Sequence, residues 1–159
     1  MKQVRMLAAI GALAALASGS AAASEDGART QTLLFTSVTQ RTIFDPAVSP
    51  SNPPKVGSRI IFEDVMYNRG AQFGKPAGAR VGRAEGVCTL IHVPKPAAQC
   101  VITAHLPDGE IVVAGEGDPG GKVTSYAITG GVGAYGHARG TVTSTTINEQ
   151  KTLVVVKPA

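Results

Sequence analysis

This sequence of 159 residues predicts an all-β fold: an eight-stranded antiparallel β-barrel with an apolar interior, preceded by a signal peptide. Three observations predict it. Beyond the N-terminal stretch, helical 3.6-residue periodicity is missing, while apolar–polar alternation recurs from segment to segment. The 19 glycines and 10 prolines fall mostly between those segments, where they punctuate and turn the chain. Eight antiparallel strands joined by short links can close on themselves, which removes exposed strand edges.

The elements follow in chain order. Lys2 and Arg5 form a positive n-region, Met6 to Leu16 a short apolar run, and Ala21-Ala22-Ala23 a small-residue cleavage site before Ser24. This is the pattern of a cleavable secretory signal, too short to be a stable membrane span. The chain therefore divides into a signal at 1–23, an N-terminal segment at 24–56 with the first strand and a proline-rich loop, and the remainder of a single barrel domain at 57–159. The expected location is secreted or periplasmic, with no membrane association after cleavage. Strands are expected near Thr32–Arg41, Ser58–Asn68, Ala79–Val93, Ala97–Leu106, Glu110–Gly115, Lys122–Thr129, Ala138–Asn148 and Lys151–Lys157. Pro46 to Val56 holds four prolines and reads as an irregular loop, as does Arg69 to Gly78. Pro107-Asp108-Gly109 is a tight turn, because Asp-Gly supplies the positive φ that hairpin turns need.

Charge excludes some partners. Of 15 Lys and Arg, two lie in the signal, which leaves thirteen against 11 acids in the mature chain, or about +2. No basic cluster stands out and tryptophan is absent, so nucleic acid is not an expected partner. His92, His105 and His137 are widely separated and form no metal-ligand spacing, so no metal and no cofactor are expected.

Cys88 and Cys100 are the only cysteines. In an exported chain an even pair favours a disulfide. A hairpin centred on Pro94 sets position 88 opposite position 100, with Cβ atoms about 4.5–5.5 Å apart, close enough to bridge with small adjustment. The alternative is a reduced, reactive Cys88, which would need a lowered thiol pKa.

Strand parity assigns the faces. On this hairpin the even positions Cys88, Leu90, Cys100, Ile102, Ala104 and Leu106 are apolar, and the odd positions Arg83, Glu85, Gln99 and His105 are polar. On the second strand Ile60, Phe62 and Met66 share the inward parity, which carries Asp64 inward with them. A carboxylate inside a barrel is costly unless hydrogen-bonded or paired. Asp64 is therefore the candidate catalytic residue, and a satisfied structural aspartate is its alternative reading. The candidate cavity wall comprises Phe35, Ser37, Phe62, Met66, Leu90 and Ile102.

Gly131, Gly133 and Gly136 spell G-x-G-x-x-G. That fingerprint holds a dinucleotide only where a strand leads in and a helix leads out. Here the exit, Thr141 to Ile147, is β-branched and suits a strand. The glycines are expected to make a tight link between two strands instead.

These residues carry a resemblance. Val81-Gly82-Arg83-Ala84-Glu85-Gly86-Val87-Cys88 resembles the Val-Gly-x-x-x-Gly-x-Cys segment of plant allene oxide cyclases. Gly130 to Gly140 is similar to the Gly-Gly-x-Gly-x-aromatic-x-x-Ala-x-Gly signature they share with dirigent proteins. The likeness spans about residues 57–157. It implies an eight-stranded barrel with a largely apolar cavity, commonly a homotrimer. In the plant cyclases a first-strand glutamate and a cavity asparagine are implicated in ring closure of an allene oxide. Those positions are occupied here by Ser37 and Asp64, and the cavity cysteine by Cys88. No equivalent of the family's cavity tyrosine is found. Three functions stand open: a barrel that binds an apolar small molecule and steers its cyclisation or coupling, a non-catalytic carrier, and a structural barrel with a filled interior.

Overall fold

The computed structural model describes residues 31–159. The signal peptide expected at 1–23 lies outside the described residues. The strands are β1 (Leu33–Asp45), β2 (Arg59–Asn68), β3 (Arg80–His92), β4 (Ala97–Leu106), β5 (Gly109–Gly117), β6 (Val123–Gly133), β7 (Gly140–Asn148) and β8 (Lys151–Pro158). Each pairs antiparallel with its sequence neighbour, and β1 pairs with β8 to close the barrel. No described helix is long and apolar enough to cross a membrane.

The inward even parity holds for β2 and β4 and for β3 from Gly82 onward, while a register shift opposite Met66 and Tyr67 sends Val81, of odd parity, into the core. Met66, Cys88, Leu90, Cys100 and Leu106 are buried, whereas Arg59, Arg83 and Gln99 are exposed. Two boundaries differ most from expectation. β1 continues past Arg41 to Asp45, and a register shift between Thr39 and Arg41 leaves Gln40 without a partner on β2. That bulge switches the inward parity from odd to even, so Phe35, Ser37 and Thr39 line the interior before it, and Thr42 and Phe44 after it. β6 runs through Thr129 to Gly133, so half of the glycine-rich stretch is strand and the link to β7 is only residues 134–139. Backbone crowding explains this. A Cβ on Gly131 would sit 2.2 Å from the Glu110 carbonyl oxygen, and Gly133 has φ +64° against the Asp108 carbonyl. Glycine lets β6 lie flush on β5 and then turn inward.

That inward turn closes one end of the barrel. Tyr135 and Ala138, from the link, are fully buried with Leu33, Val81, Ile111 and Val156. Phe73, from the β2–β3 loop, stacks on Phe35 with ring centroids 6.2 Å apart. Burying each such large apolar side chain contributes about 1.5–3 kcal/mol. In an antiparallel barrel the β1–β2, β3–β4, β5–β6 and β7–β8 connections all lie at the opposite end.

Candidate functional site

The interior is not filled. A cavity of about 820 Å³ runs inward from the end opposite the Tyr135 plug. Its mouth is framed by Pro54 of the β1–β2 loop, Pro94 and Pro96 of the β3–β4 turn, and Pro119 of the β5–β6 loop. Proline suits a rim because it makes no demand for ladder hydrogen bonds and is stiff in φ. The inner walls are apolar, with Met66, Leu106, Ile111, Val142 and Val156 towards the plugged end. Hydroxyls enter from Ser37, Thr124, Ser144, Thr146 and Thr152.

Every candidate from the sequence reaches this cavity: Phe35, Ser37, Phe62, Asp64, Met66, Cys88, Leu90 and Ile102 all line it. Ser37 on β1 and Asp64 on β2 come together, the Ser37 hydroxyl donating to Asp64 Oδ2 at 2.8 Å. The other oxygen, Asp64 Oδ1, is buried and has no hydrogen-bond partner. The two readings of Asp64 thus describe one oxygen each. Half of the carboxylate is satisfied by the fold and half is not, and an unsatisfied buried acceptor costs about 1–3 kcal/mol.

The cysteines form the disulfide expected for the hairpin. Cys88 pairs directly with Cys100 across β3 and β4, with S–S 2.04 Å. Cys88 is therefore not a free thiol, and its sulfur belongs to the cavity wall as part of a cross-link.

Two cavity groups escape the sequence reading. Tyr126 on β6 lines the cavity, and its hydroxyl donates to Cys100 Sγ at 3.7 Å. The cavity thus holds a tyrosine, contributed by β6. Alternation was the usable signal, because Thr124, Tyr126 and Ile128 share the inward parity of β6. Burial pushes the Tyr126 phenol above its ordinary value near 10.0. The second is Asp118, an acid at the mouth whose Oδ1 accepts the Gly120 N–H at 2.8 Å. It sits in a loop, where strand parity gives no direction.

His105 faces outward as expected, bridging Glu85 Oε1 at 3.0 Å and Glu110 Oε1 at 2.8 Å on the outer surface. Arg83 adds a 2.8 Å contact to Glu85. The hydrogen bond from His105, helped by Arg83, holds the Glu85 carboxyl below its usual 4.5. No group of three His, Cys, Asp or Glu side chains is placed to hold a metal among the described residues.

Comparison with known proteins agrees with this architecture. The family described as "Allene oxide cyclase barrel like domain" matches residues 39–156. A solved pyocyanin demethylase superposes with TM-score 0.65 at 24% identity, covering 79% of this chain and 98% of that one. A pterocarpan synthase dirigent protein gives TM-score 0.58 at 19% identity, over 79% and 80% of the two chains. An exo-specific intermolecular Diels-Alderase gives 0.59 at 16% identity, over 79% and 95%. At these identities the likenesses speak for the fold alone. No curated protein matches the chain.

Proposed function

This chain belongs to the family of allene oxide cyclase barrel-like domains, and on that footing we propose that it is an exported barrel that binds an apolar small molecule and steers its cyclisation or coupling. One observation carries the reading: an apolar cavity of about 820 Å³, open at one end, with a half-satisfied carboxylate in its wall. Structural relatives named for a demethylase, a pterocarpan synthase and a Diels-Alderase indicate that one barrel serves several chemistries. What they share with this chain is the barrel, and here its enclosed space can hold a reactive conformer and exclude water. In this chain Asp64 would exchange a proton with the ligand while Ser37 holds its Oδ2. The Tyr126 phenol, protonated at neutral pH, would offer a second donor.

A non-catalytic carrier is the second reading, favoured by Ser37 standing where the plant cyclases use a glutamate. A filled structural barrel fits poorly with the cavity volume. Export to an oxidising compartment is supported by the Cys88–Cys100 disulfide and by the signal-like N-terminus. Self-association would use a directly paired outward row, Ile61, Val87 and Val101, in which both valines are exposed, and a homotrimer is what the family resemblance implies.

The test is native mass spectrometry of the mature protein purified from the periplasm or medium, followed by incubation of the identified ligand with protein. A co-purifying apolar molecule supports the cavity reading. Its conversion to a ring-closed or coupled product separates the enzyme from the carrier. Protein that carries nothing, and whose cavity takes up no apolar dye, would overturn both.

A further inference from the structure

We infer that the cavity is built for an apolar molecule carrying one cationic nitrogen, which is seated against Asp64; the inference rests on the cavity-binding reading above. The charge content of the wall points there. All eight strands contribute to the lining, yet among the described residues it contains no Lys, Arg or His. Its only charged side chains are Asp64, on β2, and Asp118, at the mouth. A ligand bearing a carboxylate or phosphate would meet two acids of its own sign and no countercharge.

Asp64 is also short of partners. It receives one hydrogen bond, from Ser37 to Oδ2, and its Oδ1 is buried without any. No described cation pairs with it. Asp118 differs, since its Oδ1 already holds the Gly120 N–H. The carboxylate torsion of Asp64 is soft, so a small rotation would present Oδ1 to a donor in the cavity. A cationic N–H would supply both the missing hydrogen bond and the missing countercharge, a charge-assisted bond stronger than a neutral one. Around it, Phe35, Phe62 and Tyr126 line the same space, and aromatic faces attract cations. Steering and selection then meet in one residue: Asp64 anchors the nitrogen, and the apolar walls position the rest of the molecule.

The test uses three probes of one shape, 1-naphthylmethylamine, 1-naphthylmethanol and 1-naphthoate, titrated by calorimetry at pH 7 into the mature, oxidised protein. The amine should bind at least about tenfold tighter than the alcohol, and the naphthoate weakest. Asp64→Asn should bring amine and alcohol to within about threefold, whereas Asp118→Asn should leave most of the preference in place. Naphthoate binding as tightly as the amine would overturn the inference, as would a preference that survives in Asp64→Asn. Amine and alcohol binding equally would overturn it too, while leaving the apolar-cavity reading intact. No binding by any probe would instead remove the cavity reading on which it rests. Should Asp64→Asn fail to fold, the ratio of the three affinities in the unaltered protein decides.

Discussion

Ser37 and Asp64 meet across the β1–β2 ladder, hydroxyl to carboxylate at 2.8 Å, inside a cavity whose other walls are largely apolar. They are not directly opposed: Ser37 faces Met66 and Asp64 faces Thr39, so the contact is diagonal on the inner face. Removing it should be felt. Ser37→Ala leaves the carboxylate with no hydrogen bond from the fold, and we expect a loss of about 1–3 kcal/mol in urea denaturation at pH 7. A variant as stable as the parent would show that cavity water already satisfies Oδ2.

The disulfide closes a loop with a sequence separation of 12 residues. Closing a loop of that length adds on the order of 3 kcal/mol. The double variant Cys88→Ser with Cys100→Ser should lose about that much against the oxidised parent, measured by denaturation of both. Thiol counting in denaturant on exported protein should find none; two reactive thiols would contradict the cross-link.

Adjacent glycines should respond oppositely to alanine. At Gly130 a Cβ meets nothing within 4 Å, so Gly130→Ala should change stability by less than about 0.5 kcal/mol. At Gly131 a Cβ would lie 2.2 Å from the Glu110 carbonyl oxygen and 2.7 Å from that of Tyr135. Gly131→Ala should therefore cost about 1–3 kcal/mol or more and loosen the Tyr135 plug, seen as faster hydrogen exchange in β5 and β6. Equal effects at the two sites would refute the crowding argument.

The buried phenol gives an alkaline signature. Tyr126 is raised above 10.0 by desolvation, so its contribution to stability is fully present below the unfolded value near 10 and is lost as pH rises through the folded value. Ultraviolet titration of parent and Tyr126→Phe should differ by one phenol that ionises above the ordinary range. An apolar ligand in the cavity should push that ionisation higher still. A difference spectrum with an ordinary midpoint would place Tyr126 in contact with solvent.

Glu85 gives the acid counterpart. Its carboxyl is held down chiefly by the His105 hydrogen bond, so the stability it contributes is present above about 4.5 and is lost as pH falls through the lower folded value. Melting curves of Glu85→Gln against the parent should differ at pH 6 and converge in acid. A difference that persists or grows at low pH would show that packing, not charge, is at stake.

Much of this was legible in the chain because strand parity is local. Alternation on β2, β3 and β4 is a property of neighbouring residues, so the inward set from Ile60 to Met66 and from Cys88 to Leu106 could be read without any coordinates. The 88–100 pairing was legible too, because one proline-centred turn sets the register of its own hairpin. What alternation could not supply was any change of parity or any direction in a loop. The bulge at Gln40, which turns Phe44 inward, depends on how β1 bends against β2. The arrival of Asp118 at the mouth depends on where the β5–β6 loop lands, and the glycine-rich stretch divides into strand and plug only because β5 and Asp108 crowd it.

The sequence by itself determined the number and order of the strands, the inner faces of β2 and β4, the 88–100 register and the parity that carries Asp64 inward, since each follows from spacing within a single strand or hairpin, whereas the bond between the two sulfurs was decided by the structure. Only the tertiary structure decided that the barrel closes around a cavity rather than a packed core, that one end is plugged by Tyr135, and that Asp64 holds a single hydrogen bond from Ser37. Those facts depend on volumes and distances summed over all eight strands, and no local pattern fixes a sum of that kind.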